Sequence, residues 1–222
     1  MRNRSTYPIR LILALACLVF AMPLAGQPVA PDELRVALII GNGRYLNNTT
    51  LRNPPNDASD MAAALKSTGF SVTLLVNASR DAMEKAIRNF GASLKDPRAV
   101  GLFYYSGHGA QNAGQNYLLP VDADIQDADE LRYKAVDAES VLAKMRSSGN
   151  RLNLMILDAC RNNPFPGASR SADRGLSVVS IEVPESVIVY ATSPGSVAQD
   201  GNDRNSPFTQ AFLEGMRIPG MD

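Results

Sequence analysis

Five apolar runs of strand length constrain the fold of this chain more than any other feature: RVALII (35–40), SVTLLV (71–76), AVGLFYYS (99–106), LNLMIL (152–157) and VIVYAT (187–192). They are nearly continuous rather than alternating, and rich in Val, Ile, Leu and Tyr, which is how strands buried on both faces read. Stretches of helical period lie between them. In 56–69, Ala58, Met61, Ala62 and Leu65 share a face, Asn56 or Asp57 can cap the start and Gly69 can end it. In 79–94, Ser79 caps a stripe of Met83, Ala86, Ile87, Phe90 and Leu94. In 137–148, Asp137 caps Ala138, Val141, Leu142 and Met145, and Gly149 follows. At 206–216, Ser206-Pro207 is an N-cap followed by the favoured first-turn proline. Alternating strands and helices predict an α/β/α sandwich around a mainly parallel sheet, with right-handed crossovers.

The ends need separate treatment. MRNRSTYPIR carries Arg2, Arg4 and Arg10, and LILALACLVFAMPLAG then runs apolar to small residues. This basic–apolar–small order is that of a secretory signal, with cleavage expected near Ala25 or Gly26 and the mature protein expected outside the cytoplasm. The alternative is an uncleaved anchor over residues 11–25, and only then is a membrane association expected. On this reading 1–26 is the signal, 27–33 a short linker and 34–222 the working domain. Loss of three arginines leaves 19 basic against 22 acidic residues, so no basic surplus points to nucleic acid. Of two cysteines, Cys17 goes with the signal and Cys160 is left alone. It is then a buried apolar filler, an intermolecular bridge or a reactive thiol. One cysteine and one histidine cannot build a zinc site.

Sites in parallel α/β sheets form beyond the carboxyl ends of the strands. The only histidine, His108 in GLFYYSGHGAQ, follows one apolar run, and Cys160 in LMILDACRNNPF follows another. If the two strands are neighbours, a Cys–His nucleophilic pair results. Gly107 and Gly109 permit a sharp turn and close approach of substrate, and the Gly109 N–H can serve an oxyanion. Other signals are weak. GNGRYL (41–46) has Leu46 where a dinucleotide loop needs its third glycine, and DADIQDADE (122–130) lacks the spacing of a calcium loop.

YYSGHGAQ, followed by DACR with Cys160 52 residues after His108, resembles the caspase-like cysteine peptidases. RVALIIGNGRY, NDASDMAAALKSTGF, NYLLPVDAD, LDACRNNPF and YATSPGSVAQD, in that order, are most similar to the metacaspase and paracaspase branches, including bacterial members. The resemblance covers about residues 34–215. It implies His108 and Cys160 as the catalytic pair and the backbone N–H groups of Gly109 and Cys160 as the oxyanion hole. Caspases carry glutamine two residues before the nucleophile; here that position is Asp158. In the resembling branches an acid there lines a P1 pocket for arginine or lysine, with Asp57 and Ser106 matching two further pocket positions. Two carboxylates in a partly desolvated pocket favour a guanidinium or ammonium and repel an acid. Asp57 can equally be a helix cap, or both.

The polar, turn-rich segment 161–186 matches the intersubunit loop of these families, and self-cleavage is expected after Arg170 or Arg174. No cofactor is expected; calcium dependence, as in some metacaspases, is an open expectation. More sequence follows the match to LEGMRIPGMD in the resembling families, so the chain is read as cut short of their small-subunit portion. The expected activity is that of an endopeptidase acting on peptides or proteins with a basic P1 residue. A catalytically silent binding or signalling module is the alternative, and another thiol hydrolase, such as an amidase, is a third reading.

Overall fold

The computed structural model describes residues 33–47, 50–160, 185–191 and 203–218. These belong to one compact unit, Asp32–Asp222. Five parallel strands form the main sheet: β1 (Arg35–Gly41), β2 (Ser71–Val76), β3 (Val100–Asn112), β6 (Leu152–Cys160) and β7 (Ser186–Tyr190). Their spatial order is β2-β1-β3-β6-β7. The far end of β3 leaves this sheet to pair antiparallel with β4 (Gln115–Leu118), which in turn pairs with the short β5 (Val136–Asp137).

Period-two alternation sorts the strand side chains into two cores. Val36, Leu38 and Ile40 of β1 join Phe103, Tyr105, Met155 and Leu157 on one face. That face is covered by α2 (Arg80–Ser93) and α4 (Ala138–Arg146), through Met83, Ile87, Phe90, Val141, Leu142 and Met145. Ala37, Ile39, Leu102, Tyr104 and Ile156 point the other way, towards α1 (Pro54–Ser67) and α5 (Pro207–Gly215). Each fully buried aliphatic side chain there, Ile39 or Met61 for example, contributes roughly 1.5–3 kcal/mol relative to exposure. A 3₁₀ turn at Ala128–Glu130 and the four-residue α3 (Leu131–Lys134) complete the described elements.

The α/β sandwich is as the sequence predicts, and the caps on three helices are as expected. Ser79 accepts from the Ala82 N–H, Asp137 from Glu139 and Ser206 from Thr209. Gly69 and Gly149 follow their helices with φ of +86° and +69°.

Several expectations are corrected. The helix expected over 56–69 starts at Pro54, because proline suits the first turn, so neither Asn56 nor Asp57 caps it. Among the described residues the run at 71–76 is an edge strand: it pairs only with β1, and Leu74 and Val76 are exposed. β3 does not end at residue 106. It continues through His108, since Gly109–Asn112 find partners in β4, a strand the apolar runs did not reveal. The acidic 122–130 segment carries an apolar anchor as well: Ala123 and Ile125 sit in a small third core with Tyr45 and Leu131. The signal and linker before residue 33, with Cys17, and the self-cleavage positions Arg170 and Arg174 lie outside the described residues.

Candidate active site

The pairing of β3 with β6 runs from Val100↔Leu152 to His108↔Cys160. Parallel neighbours lie about 4.8 Å apart, so the main chains of His108 and Cys160 stand side by side at the carboxyl end of the sheet. His108 is a strand residue and only 6% exposed. Two tyrosines hold its backbone. The Tyr45 hydroxyl accepts from the His108 N–H at 2.7 Å, and the Tyr105 hydroxyl donates to the His108 carbonyl at 2.8 Å. That carbonyl also accepts from the Leu119 N–H, at 3.0 Å. The Tyr45 ring lies 4.5 Å from the imidazole, centroid to centroid.

This clamp explains Gly107. Its φ is +155°, and a β-carbon there would lie 2.6 Å from the Tyr45 hydroxyl oxygen and 2.7 Å from that of Tyr105. The glycine before the histidine admits two tyrosines rather than a turn. Main-chain groups of successive strand residues face opposite edges. Since His108 bonds towards Tyr45 and Leu119, the Gly109 N–H faces the edge that carries β6 and Cys160.

The three expected pocket residues come together. The Ser106 hydroxyl donates to Asp57 at 3.1 Å, and Asp57, Ser106 and Asp158 are each at most 5% exposed. Asp57 is one turn inside α1, where its other oxygen accepts from the Ser206 N–H at 2.9 Å. Asp158 accepts from the hydroxyls of Ser206 and Thr209, the latter at 2.8 Å. Burial pushes Asp57 up to about 6, with the charge of Asp158 adding to the rise; hydrogen bonds from Ser206, Asn205 and Ser106 pull the other way. Burial, and then the charges of Asp158 and Asp57, hold the Tyr104 hydroxyl protonated far above its ordinary range.

The sign of the Asp57 effect is testable. Its folded value lies above the ordinary 3.8, so the folded state binds the proton more tightly and loses stability as pH rises from about 4 to about 6. Asp57→Asn is expected to remove this slope. The wild type should lose on the order of 2 kcal/mol relative to the variant across that window, read by urea unfolding at each pH. Parallel stability curves would overturn the assignment.

Sequence reading missed Tyr45, Tyr105, Ser206 and Thr209. Ser206 carried a visible signal as an N-cap, but nothing local marks its hydroxyl as a partner of Asp158, 48 residues earlier. Tyr45 sits in the GNGRYL stretch discounted as a nucleotide loop, where the Asn77 side chain accepts from the Gly43 and Arg44 N–H groups. Among the described residues no group of three or more His, Cys, Asp or Glu stands close enough to hold a metal ion.

Comparisons with known proteins bear on the fold and the family. The family model described as the caspase domain matches residues 34–222. The mucosa-associated lymphoid tissue lymphoma translocation protein 1 homolog of Mus musculus is 34% identical over 136 residues, 61% of this chain and 16% of that protein. Its Homo sapiens counterpart is 33% identical over 135 residues. A probable protease from a Desulfuromonadales bacterium is 31% identical over 134 residues, 53% of this chain and 15% of that protein. The matched stretch is therefore a small part of each of these relatives. Among solved structures, caspase-1 from Spodoptera frugiperda superposes with a TM-score of 0.60 at 20% identity, covering 84% of this chain and 71% of that one. It shares the fold.

Proposed function

The chain belongs to the caspase-domain family of cysteine peptidases, and from that premise we propose that it is an exported endopeptidase that cleaves after arginine or lysine through Cys160 and His108. The observation that carries the specificity is the buried pair Asp57 and Asp158, bridged by Ser206, with Ser106 donating to Asp57, beside the paired stretches of β3 and β6. Two carboxylates out of bulk water bind a guanidinium or ammonium strongly and reject an acidic side chain.

In the proposed cycle the Cys160 thiolate attacks the scissile carbonyl and the C–N bond breaks through a tetrahedral oxyanion. The Gly109 and Cys160 N–H groups stabilise that oxyanion. His108 gives a proton to the leaving amine, then takes one from the water that hydrolyses the thioester. His108 needs a fixed orientation for both transfers, and the tyrosine clamp on its backbone supports one. Export rests on the basic and apolar order of residues 1–26.

The test uses residues 27–222 and matched fluorogenic peptides with Arg, Lys or Asp at P1, with calcium and chelator arms. Cleavage after Arg and Lys is expected, at least about 100-fold faster than after Asp. It should weaken as pH falls through about 6 and Asp57 takes up a proton. Preference for Asp would keep the fold and overturn the pocket. No cleavage in any arm would favour the silent binding module, and loss of activity only with chelator would add a calcium requirement.

A further inference from the structure

The acid pair poses a physical problem. Two like charges held out of water repel, and each also loses its hydration. The cation that precedes α5, Arg204, is committed elsewhere: its guanidinium forms a bidentate pair with Asp60 of α1, at 2.8 Å for both bonds. The first turn of α5 supplies the compensation. Its Ser206 N–H reaches Asp57, and its Ser206 and Thr209 hydroxyls both reach the same oxygen of Asp158.

Proton counting gives these bonds a direction. The Thr209 hydroxyl has one proton and gives it to Asp158, so the Tyr104 hydroxyl, 2.6 Å away, must donate to Thr209. Tyr104, Thr209 and Asp158 thus form a relay of donors ending on a carboxylate, in which each bond polarises the next. All of Tyr104 and Thr209 is buried. The turn itself is fixed from α1, where Asn56 donates to the Arg204 carbonyl at 3.1 Å and Asp60 accepts from Asn205 at 3.0 Å. Among the described residues, the titratable and charged groups around the pair include Asp60 of α1, Tyr104 of β3, Arg204 ahead of α5 and Arg217 beyond it.

We propose that Thr209 is a positioning residue for substrate recognition: relayed from Tyr104, its hydroxyl keeps Asp158 charged and aimed while the pocket is empty, and so sets the affinity for a basic P1 side chain. The proposal rests on the reading of Asp57 and Asp158 as the P1 pocket. Thr209 acts through Asp158 and touches no substrate atom.

The experiment compares the wild-type chain with Thr209→Val, which keeps the shape and deletes the hydroxyl, and Thr209→Ser, which restores it. Asp158 is titrated by carboxyl carbon NMR, assigned with Asp158→Asn, and KM and kcat are measured on the P1-arginine peptide. Thr209→Val is expected to raise the Asp158 titration midpoint by about one pH unit. It should raise KM roughly tenfold with kcat changed less than about twofold, the signature of lost binding. Thr209→Ser should recover both values. A Thr209→Val midpoint equal to wild type overturns the proposal, as does a raised KM that serine fails to rescue. Should Thr209→Val not fold, Tyr104→Phe carries the test: it removes the relay's first donor and is expected to raise the midpoint by a smaller amount, and no rise overturns the relay. A wild type that ignores basic peptides refutes the pocket reading, while the titration still decides whether Thr209 holds Asp158.

Discussion

Cys160→Ala is expected to lower kcat/KM by roughly 10⁴-fold or more, leaving the unfolding midpoint close to wild type. Cys160 and His108 form the last of the nine register pairs that fix the placement of β6 against β3. A nucleophile and a general acid–base that serve one reaction act as a unit, so removing either removes nearly the whole benefit. His108→Ala should therefore fall as far as Cys160→Ala, and the double variant should be no worse than either alone. Additive losses would mean that the two residues serve separate roles. Full activity in purified Cys160→Ala would remove cysteine catalysis from this protein.

The second large effect is expected at Gly107. An added methyl would meet the hydroxyl oxygens of Tyr45 and Tyr105 at 2.6 and 2.7 Å, and the Asn42 carbonyl at 3.0 Å. None of these can retreat cheaply. Both tyrosines are buried and hold His108, and the Asn42 side chain is itself tied to the Leu119 carbonyl and the Ala78 N–H. Gly107→Ala should cost about 2–4 kcal/mol from overpacking and unfavourable backbone conformation. Where the variant remains folded it should also lose about 100-fold in kcat, because the imidazole is displaced along with its backbone. Denaturant unfolding and steady-state kinetics read the two effects separately. Tyr45→Phe, which retains the ring against His108 and deletes the hydroxyl, should reproduce part of the kinetic loss with a smaller loss of stability.

Much of this architecture was legible because strands buried on both faces are apolar throughout, and β1, β3 and β6 are so buried. β2 was misjudged for the same reason: its apolar residues look alike in sequence whether one edge or two are paired, and Leu74 and Val76 turn out to be exposed. The glycines around His108 read as the end of a strand, because the sequence does not show that two tyrosine hydroxyls must fit against Gly107. Asp57 read as a pocket acid, a helix cap or both, and the cap falls away because Pro54 begins the helix three residues sooner. The acids themselves were visible through motif resemblance. Their partners were not: Ser206 and Thr209 lie 48 and 51 residues from Asp158, and contacts over such distances leave no local period.

The parallel pairing of β3 with β6 also imposes an order of assembly. The histidine strand, the cysteine strand and the α5 turn that steadies the acid pair are made in that sequence as the chain emerges. A nascent chain that has not reached residue 152 holds an imidazole with no β6 to set beside it. Because the β3–β6 contacts are non-local, closing them is a late and comparatively slow event. A chain with β6 docked and α5 unmade would hold Cys160 beside His108 while Asp57 and Asp158 lacked the Ser206 and Thr209 donors. On the proposed reading, the donors that steady Asp57 and Asp158 are thus added after the sheet that sets Cys160 beside His108 has closed.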